Sequence, residues 1–132
     1  MLKAFTRIST LIFLLVTANI AHAETKSYGY YGFEPDIITN YINNKKKLGY
    51  VRVTVELMLN NIDDLEVVEH HAPLLRDAIV DILGKESEEK IKSLTGREEI
   101  RSKCIDKIKS LLKKETGEEV VKNVLFTKYL YH

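Results

Sequence analysis

The sequence predicts an α+β fold: a small β-β-α-α-β domain in which an antiparallel sheet is packed on one face by two main helices. Three observations carry this. The run YVRVTVELML (50–59) alternates apolar and polar residues, the period of a half-buried strand. Between 65 and 112, apolar residues recur in steps of three and four, the period of helices with one buried stripe. The last fifteen residues, EEVVKNVLFTKYLYH, are β-branched and aromatic and favour a closing strand.

The chain begins MLKAFTRISTLIFLLVTANIAHAETKS. A membrane-spanning helix needs about 20 largely apolar residues, but here the apolar run from Leu11 to Ala18 is soon diluted by Asn19 and His22. Lys3 and Arg7 precede it, and Ala21-His22-Ala23 places small residues where a signal peptidase reads them. This pattern predicts a cleavable signal peptide over 1–23, leaving 24–132 as a single periplasmic domain. If the segment stays uncut, the alternative is an inner-membrane location. Glu24, not a cysteine, stands directly after the cut, so the signature of a lipoprotein is missing.

Residues 24–33, ETKSYGYYGF, read as a leader into structure. EPDIITNYI (34–42) is a short β-branched strand with Pro35 at its start, where a missing donor is tolerated. NNKKKLG (43–49) is a polar turn, so this strand and the alternating one form an antiparallel hairpin within a three-stranded sheet. In the second strand Val51, Val53, Val55, Leu57 and Leu59 share the core face.

Asn60 and Asn61 offer a helix cap, with Asp63 and Asp64 in the first turn. The stripe Leu65, Val68, Ala72, Leu75, Ile79, Ile82 and Leu83 defines the first helix. Pro73 should bend or divide it, and Gly84 stops it. Ser87-Glu88-Glu89 starts a short helical piece with Ile91 and Leu94 as its apolar side. Thr95 and Glu98 have capping-box spacing for the last helix. That helix buries Ile100, Cys104, Ile108, Leu111 and Leu112 and ends at Gly117. Glu86–Lys90, Glu88–Lys92 and Glu99–Lys103 stand at i,i+4 on the outer surface.

Composition narrows the function. The chain has 20 Lys+Arg and 19 Asp+Glu. Residues 1–23 hold two of the basic residues and no acidic one, so the remainder is near neutral. It lacks the clustered basic footprint that nucleic acid calls for. Cys104 is the only cysteine, which rules out an internal disulfide.

The candidates for chemistry are few. His70 and His71, with Glu66 and Glu69 nearby, are metal-ligating residue types. Adjacent helix positions point about 100° apart, however, so the two rings do not readily share one ion. Cys104 sits in an apolar stripe, where a thiol acts as a small hydrophobe rather than a nucleophile. The carboxylates at 86–99 alternate with Lys and Arg, as on a solvated helix face. No catalytic, cofactor-binding or metal-binding residue is therefore assigned. Tyr28, Tyr30, Tyr31 and Phe33 cluster before the first strand, and Tyr41, Tyr50, Tyr129 and Tyr131 lie at strand ends. They suit either protein contact or packing along the sheet edges.

With these elements in order, the chain resembles the flagellar basal-body-associated FliL family over roughly 50–132. The resemblance rests on YVRVTVELMLNN, APLLRDAIVDILGKES, LTGREEIRSKCIDKI and VKNVLFTKYLYH, in that order. Its most specific parts are Pro73, Arg76, Asp77, Ala78 and Ile79, then Gly96-Arg97-Glu98, then Val124 to Thr127. It implies a non-enzymatic accessory of bacterial motility, with a periplasmic domain similar to the stomatin/prohibitin (SPFH) type. It further implies association with the flagellar stator or basal body and assembly into homo-oligomers, rings among them. No small-molecule substrate or cofactor is implied, and contact with the membrane is peripheral once the signal is cut. The family usually has a true membrane-spanning helix where this chain has a cleavable signal. The reading set against this one is a periplasmic module that binds or senses a small ligand, whose sign is polar groups converging in an apolar pocket.

Overall fold

The computed structural model describes residues 26–43 and 47–132. The signal peptide expected over 1–23 lies outside the described residues, as does the tip of the first hairpin. Four strands form one antiparallel sheet: β1 (Gly29–Gly32), β2 (Ile37–Tyr41), β3 (Gly49–Leu59) and β4 (Val121–Tyr131). A 3-10 turn (Ile62–Asp64) and three helices, α1 (Leu65–Gly84), α2 (Glu88–Lys92) and α3 (Leu94–Thr116), separate β3 from β4. Among the described residues, no helix is long and apolar enough to cross a membrane.

The fold is the expected α+β unit with one strand more than the sequence suggested. Residues 29–32 are a strand, not a leader: Gly29 faces Leu59 and Gly32 faces Glu56. Two glycines and two tyrosines carry too little apolar alternation to announce a strand. Their pairing comes from β3, which offers its edge. β2 pairs farther along, with Ile37 opposite Val53 and Tyr41 opposite Gly49. β4 occupies the opposite edge of β3 from Val51 to Leu59. Consequently β1 and β2 lie end to end on one side of β3, and the four strands make three columns.

Between them the connector Phe33–Asp36 is held from both faces. Phe33 is buried and donates its N–H to the Val55 carbonyl (3.0 Å). Arg76 of α1 donates to the Pro35 carbonyl (2.7 Å), with its guanidinium 5.6 Å from the Phe33 ring centroid. On the opposite face, Asp36 accepts from Arg52 (2.8 Å) and Thr54 (2.9 Å).

The alternation in β3 has the expected sense, with Val51, Val53, Val55, Leu57 and Leu59 all fully buried. Against them pack Val68, Leu75, Ile79 and Leu83 from α1 and Ile100, Cys104, Ile108 and Leu112 from α3. Leu65, Ile82 and Leu111 border this core half-buried. Asn61 caps the 3-10 turn by accepting from the Asp63 N–H (3.1 Å).

Pro73 does not divide α1, which runs unbroken from 65 to 84. Pro73 and Glu69 are both exposed, so the carbonyl that the proline cannot serve faces water. α3 starts earlier than the capping-box spacing implied. Its cap is Ser93, whose Oγ accepts from the Gly96 N–H (2.9 Å), and Thr95 is already helical. That frame puts Gly96, Ile100, Cys104, Ile108 and Leu112 on the buried face and turns Leu94 outward, 76% exposed. Leu94 is thus no part of the core.

Two of the three expected helical ion pairs are exchanged for tertiary ones. Glu88–Lys92 forms as expected (2.8 Å). Glu86 lies in the connector after α1, is buried, and binds Lys103, while Lys90 binds Glu99 (2.8 Å). Both exchanged pairs tie the α1–α2 segment to α3. Gly117 ends α3 at φ 78°, the left-handed conformation that glycine adopts without penalty.

Candidate functional site

The sequence candidates separate cleanly in space. Glu66, Glu69, His70 and His71 line a shallow cleft of about 460 Å³ with Val67, all from α1. The imidazole rings stand 5.0 Å apart at 84°. His71 Nδ1 lies 2.8 Å from the Val67 carbonyl, so that nitrogen donates its proton there and is not free as a ligand. Among the described residues, no group of three or more His, Cys, Asp or Glu side chains is placed to hold a metal.

Cys104 is fully buried, and burial pushes its thiol up to about 12, far from the thiolate needed for attack. A second cleft, of about 720 Å³, is lined by Lys26, Ser27, Tyr28, Asn60, Asn61, Ile62, Asp63 and Lys122. Lys122 donates to the Tyr28 hydroxyl (3.0 Å), and this bond holds the Tyr28 phenol below its usual value. The walls of this cleft are mostly exposed polar side chains at the sheet end, unlike an enclosed apolar pocket with convergent polar groups.

The aromatic residues divide between packing and surface. Phe33 and Tyr41 are buried, whereas Tyr28, Tyr30, Tyr50 and Tyr131 are exposed. Tyr41 donates to the His132 carbonyl (2.7 Å). Tyr129 donates to the Ile91 carbonyl (2.8 Å), and its own burial raises its phenol to about 12. Phe126, Tyr129 and Tyr131 succeed one another along β4, with ring centroids 6.1 and 6.3 Å apart. The guanidinium of Arg97 lies 5.4 Å from the Tyr129 centroid and the ammonium of Lys92 5.8 Å from that of Tyr131.

Arg101 is a junction that sequence reasoning missed. It binds Glu98 from α3 and also donates to the Asn123 Oδ1 (2.7 Å) and the Val124 carbonyl (2.9 Å). Its signal was an arginine on the margin of a helical stripe, which has no distinctive spacing. The surface carries exposed aromatics, charged helix faces and a sheet edge.

The chain is 28% identical over 100 residues to the flagellar protein FliL of Aquifex aeolicus (strain VF5). The alignment covers 76% of this chain and 59% of that protein, so the chain spans well under two thirds of its relative. A family model described as flagellar basal body-associated protein FliL matches residues 30–131, from the second residue of β1 to the last of β4. With every strand and helix of the described fold inside that match except Gly29 at the start of β1, the chain belongs to the FliL family.

Proposed function

We propose that this chain is an exported, non-enzymatic accessory of the flagellar basal body that supports motility through protein–protein contact. The observation that carries this is the family match across the whole sheet and all three helices. The burial of Cys104 supports a role without catalysis at that thiol. Residues 1–23 act as a signal that is removed after Ala23, and the domain works in the periplasm. There it contacts the stator or adjacent basal-body proteins and assembles with copies of itself, rings included, and its fold is of the SPFH type. Once residues 1–23 are removed, each domain meets the motor by binding. Repeated contacts in an assembly raise the effective affinity of weak single ones.

Deletion of the coding region tests the motor role. Swimming through soft agar should contract, most strongly under high viscous load, while filaments remain normal. Unchanged spread would refute it. Mass spectrometry of the N-terminus from cells tests export: a start at Glu24 is expected, and recovery of intact Met1 in carbonate-resistant membranes would refute cleavage. A rival ligand-binding role would show as reproducible melting shifts across a metabolite panel.

A further inference from the structure

We infer that the C-terminal half of β4 is a docking edge for an extended, acidic segment of a partner protein, which adds as a further strand. The edge can be read from the pairing of β3 with β4. Tyr50 and His132 exchange both backbone bonds, Tyr50 N–H to the His132 carbonyl at 3.3 Å and the reverse at 3.0 Å. From there the register runs without a shift through Val51–Tyr131, Arg52–Leu130 and Val53–Tyr129. In an antiparallel ladder, bonded and non-bonded pairs alternate. The N–H and C=O groups of Tyr131 and Tyr129 therefore point away from β3, and among the described residues nothing pairs with them.

The rest of the sheet margin is treated differently. At Val124 the outward groups are taken, the carbonyl by Arg101 (2.9 Å) and the N–H by Asn123 Oδ1 (2.9 Å). On the opposite margin, Ile42 at the end of β2 bonds with the segment after α1, through Glu86 (3.1 Å) and Glu88 (2.9 Å). Folded proteins ordinarily block long free edges in such ways. The block on β4 stops before Tyr129.

Charge selects the occupant. Arg97 flanks Tyr129, and Lys128 lies one residue along the strand; among the described residues neither has an ion-pair partner. Lys92, beside Tyr131, is offset by Glu88. A second copy of this chain docking by the same edge would bring like cations together. Tyr129, with Arg97, and Lys128 lie on opposite faces of the strand. A partner strand carrying Asp or Glu at consecutive positions, one on each face, would therefore meet both cations favourably, as backbone bonds give affinity and side chains give selection.

The test is a phage-displayed library of random linear heptapeptides selected on the immobilised full chain. Enriched peptides should carry consecutive acidic residues, one for each face, and slow amide exchange at Tyr129 and Tyr131 when added. Tyr131→Pro removes an outward N–H without taking a bond from β3. It should weaken these peptides about five- to tenfold, the loss of one backbone bond, while Tyr131→Ala retains that bond. Arg97→Glu combined with Lys128→Glu should abolish selection of acidic peptides even if the proline variant folds poorly. Three results would each overturn the inference. One is selection without acidic pairs. Another is binding indifferent to both the proline and the charge reversals. The third is a dimer in sedimentation that Tyr131→Pro dissociates, which would give the edge to a second copy. A swimming defect on deletion bears on the motor role alone, so the two can fail separately.

Discussion

Gly49→Ala is expected to destabilise the domain through one identifiable neighbour. Gly49 faces Tyr41 across the β2–β3 ladder, and a Cβ added there would stand 2.1 Å from Tyr41 Cζ, 2.4 Å from Cε2 and 2.6 Å from the hydroxyl. The Tyr41 ring must therefore move by more than an ångström, and its 2.7 Å bond to the His132 carbonyl cannot survive that. Overpacking costs about 1–3 kcal/mol and the lost hydrogen bond about 1 kcal/mol. Against these, alanine in a strand gains about 0.5–1 kcal/mol over glycine. The net is a loss of about 2 kcal/mol, or roughly 10 °C in melting temperature for a domain of this size. Tyr41→Ala alone should cost about 3 kcal/mol. In that background Gly49→Ala should be neutral or slightly stabilising, giving a coupling of about 2 kcal/mol in a double-mutant cycle. Urea unfolding of the four proteins measures it. Additive effects would show that the ring does not lie on the glycine.

Other expectations concern the helices and the ionisable groups. Gly96→Ala should lower stability by at least about 2 kcal/mol, because its Cβ would meet the Lys90 carbonyl at 2.2 Å and Lys90 Cα at 2.6 Å, both backbone. Ser93→Ala should cost about 1 kcal/mol by removing the α3 cap, whereas Thr95→Ala should be nearly silent, as thermal melts of the two would show. Cys104 should resist maleimide at pH 8 in the native protein and react fully in denaturant; rapid native labelling would contradict its burial. Asp36 is held below its ordinary 3.8 by bonds from Arg52 and then Thr54. The stability this gives is complete above that value and is lost as pH falls through the lowered one, so Asp36→Asn should flatten the acid limb of a pH–melting curve.

The sequence displayed what depends on local periodicity. The five buried positions of β3, the stripes of α1 and α3 and the terminal strand all follow from alternation or helical spacing within one segment. Features that depend on distant chain were not visible. β1 exists because β3 has room beside it, and its own GYYG says little. The helix frame at Ser93 is set by Gly96 approaching Lys90, a contact between elements. Glu86 and Lys90 have good helical spacing for each other, yet each finds a better partner on α3 once the helices pack. The same limit applied at the surface: the aromatic residues of β4 were evident, but the cations beside them come from α2 and α3. Nothing in the strand itself tells which half of its edge Arg101 closes.

The position of β4 also bears on how the domain comes to be made. β3 finds its longest partner more than sixty positions later, in the last of the described strands. A ribosome that has delivered everything up to Gly117 has made both main helices and three strands, yet one side of the central strand is still bare. The sheet can close only once β4 has been made. A polypeptide of this kind stays open along that side of β3 until β4 arrives, and only then becomes compact.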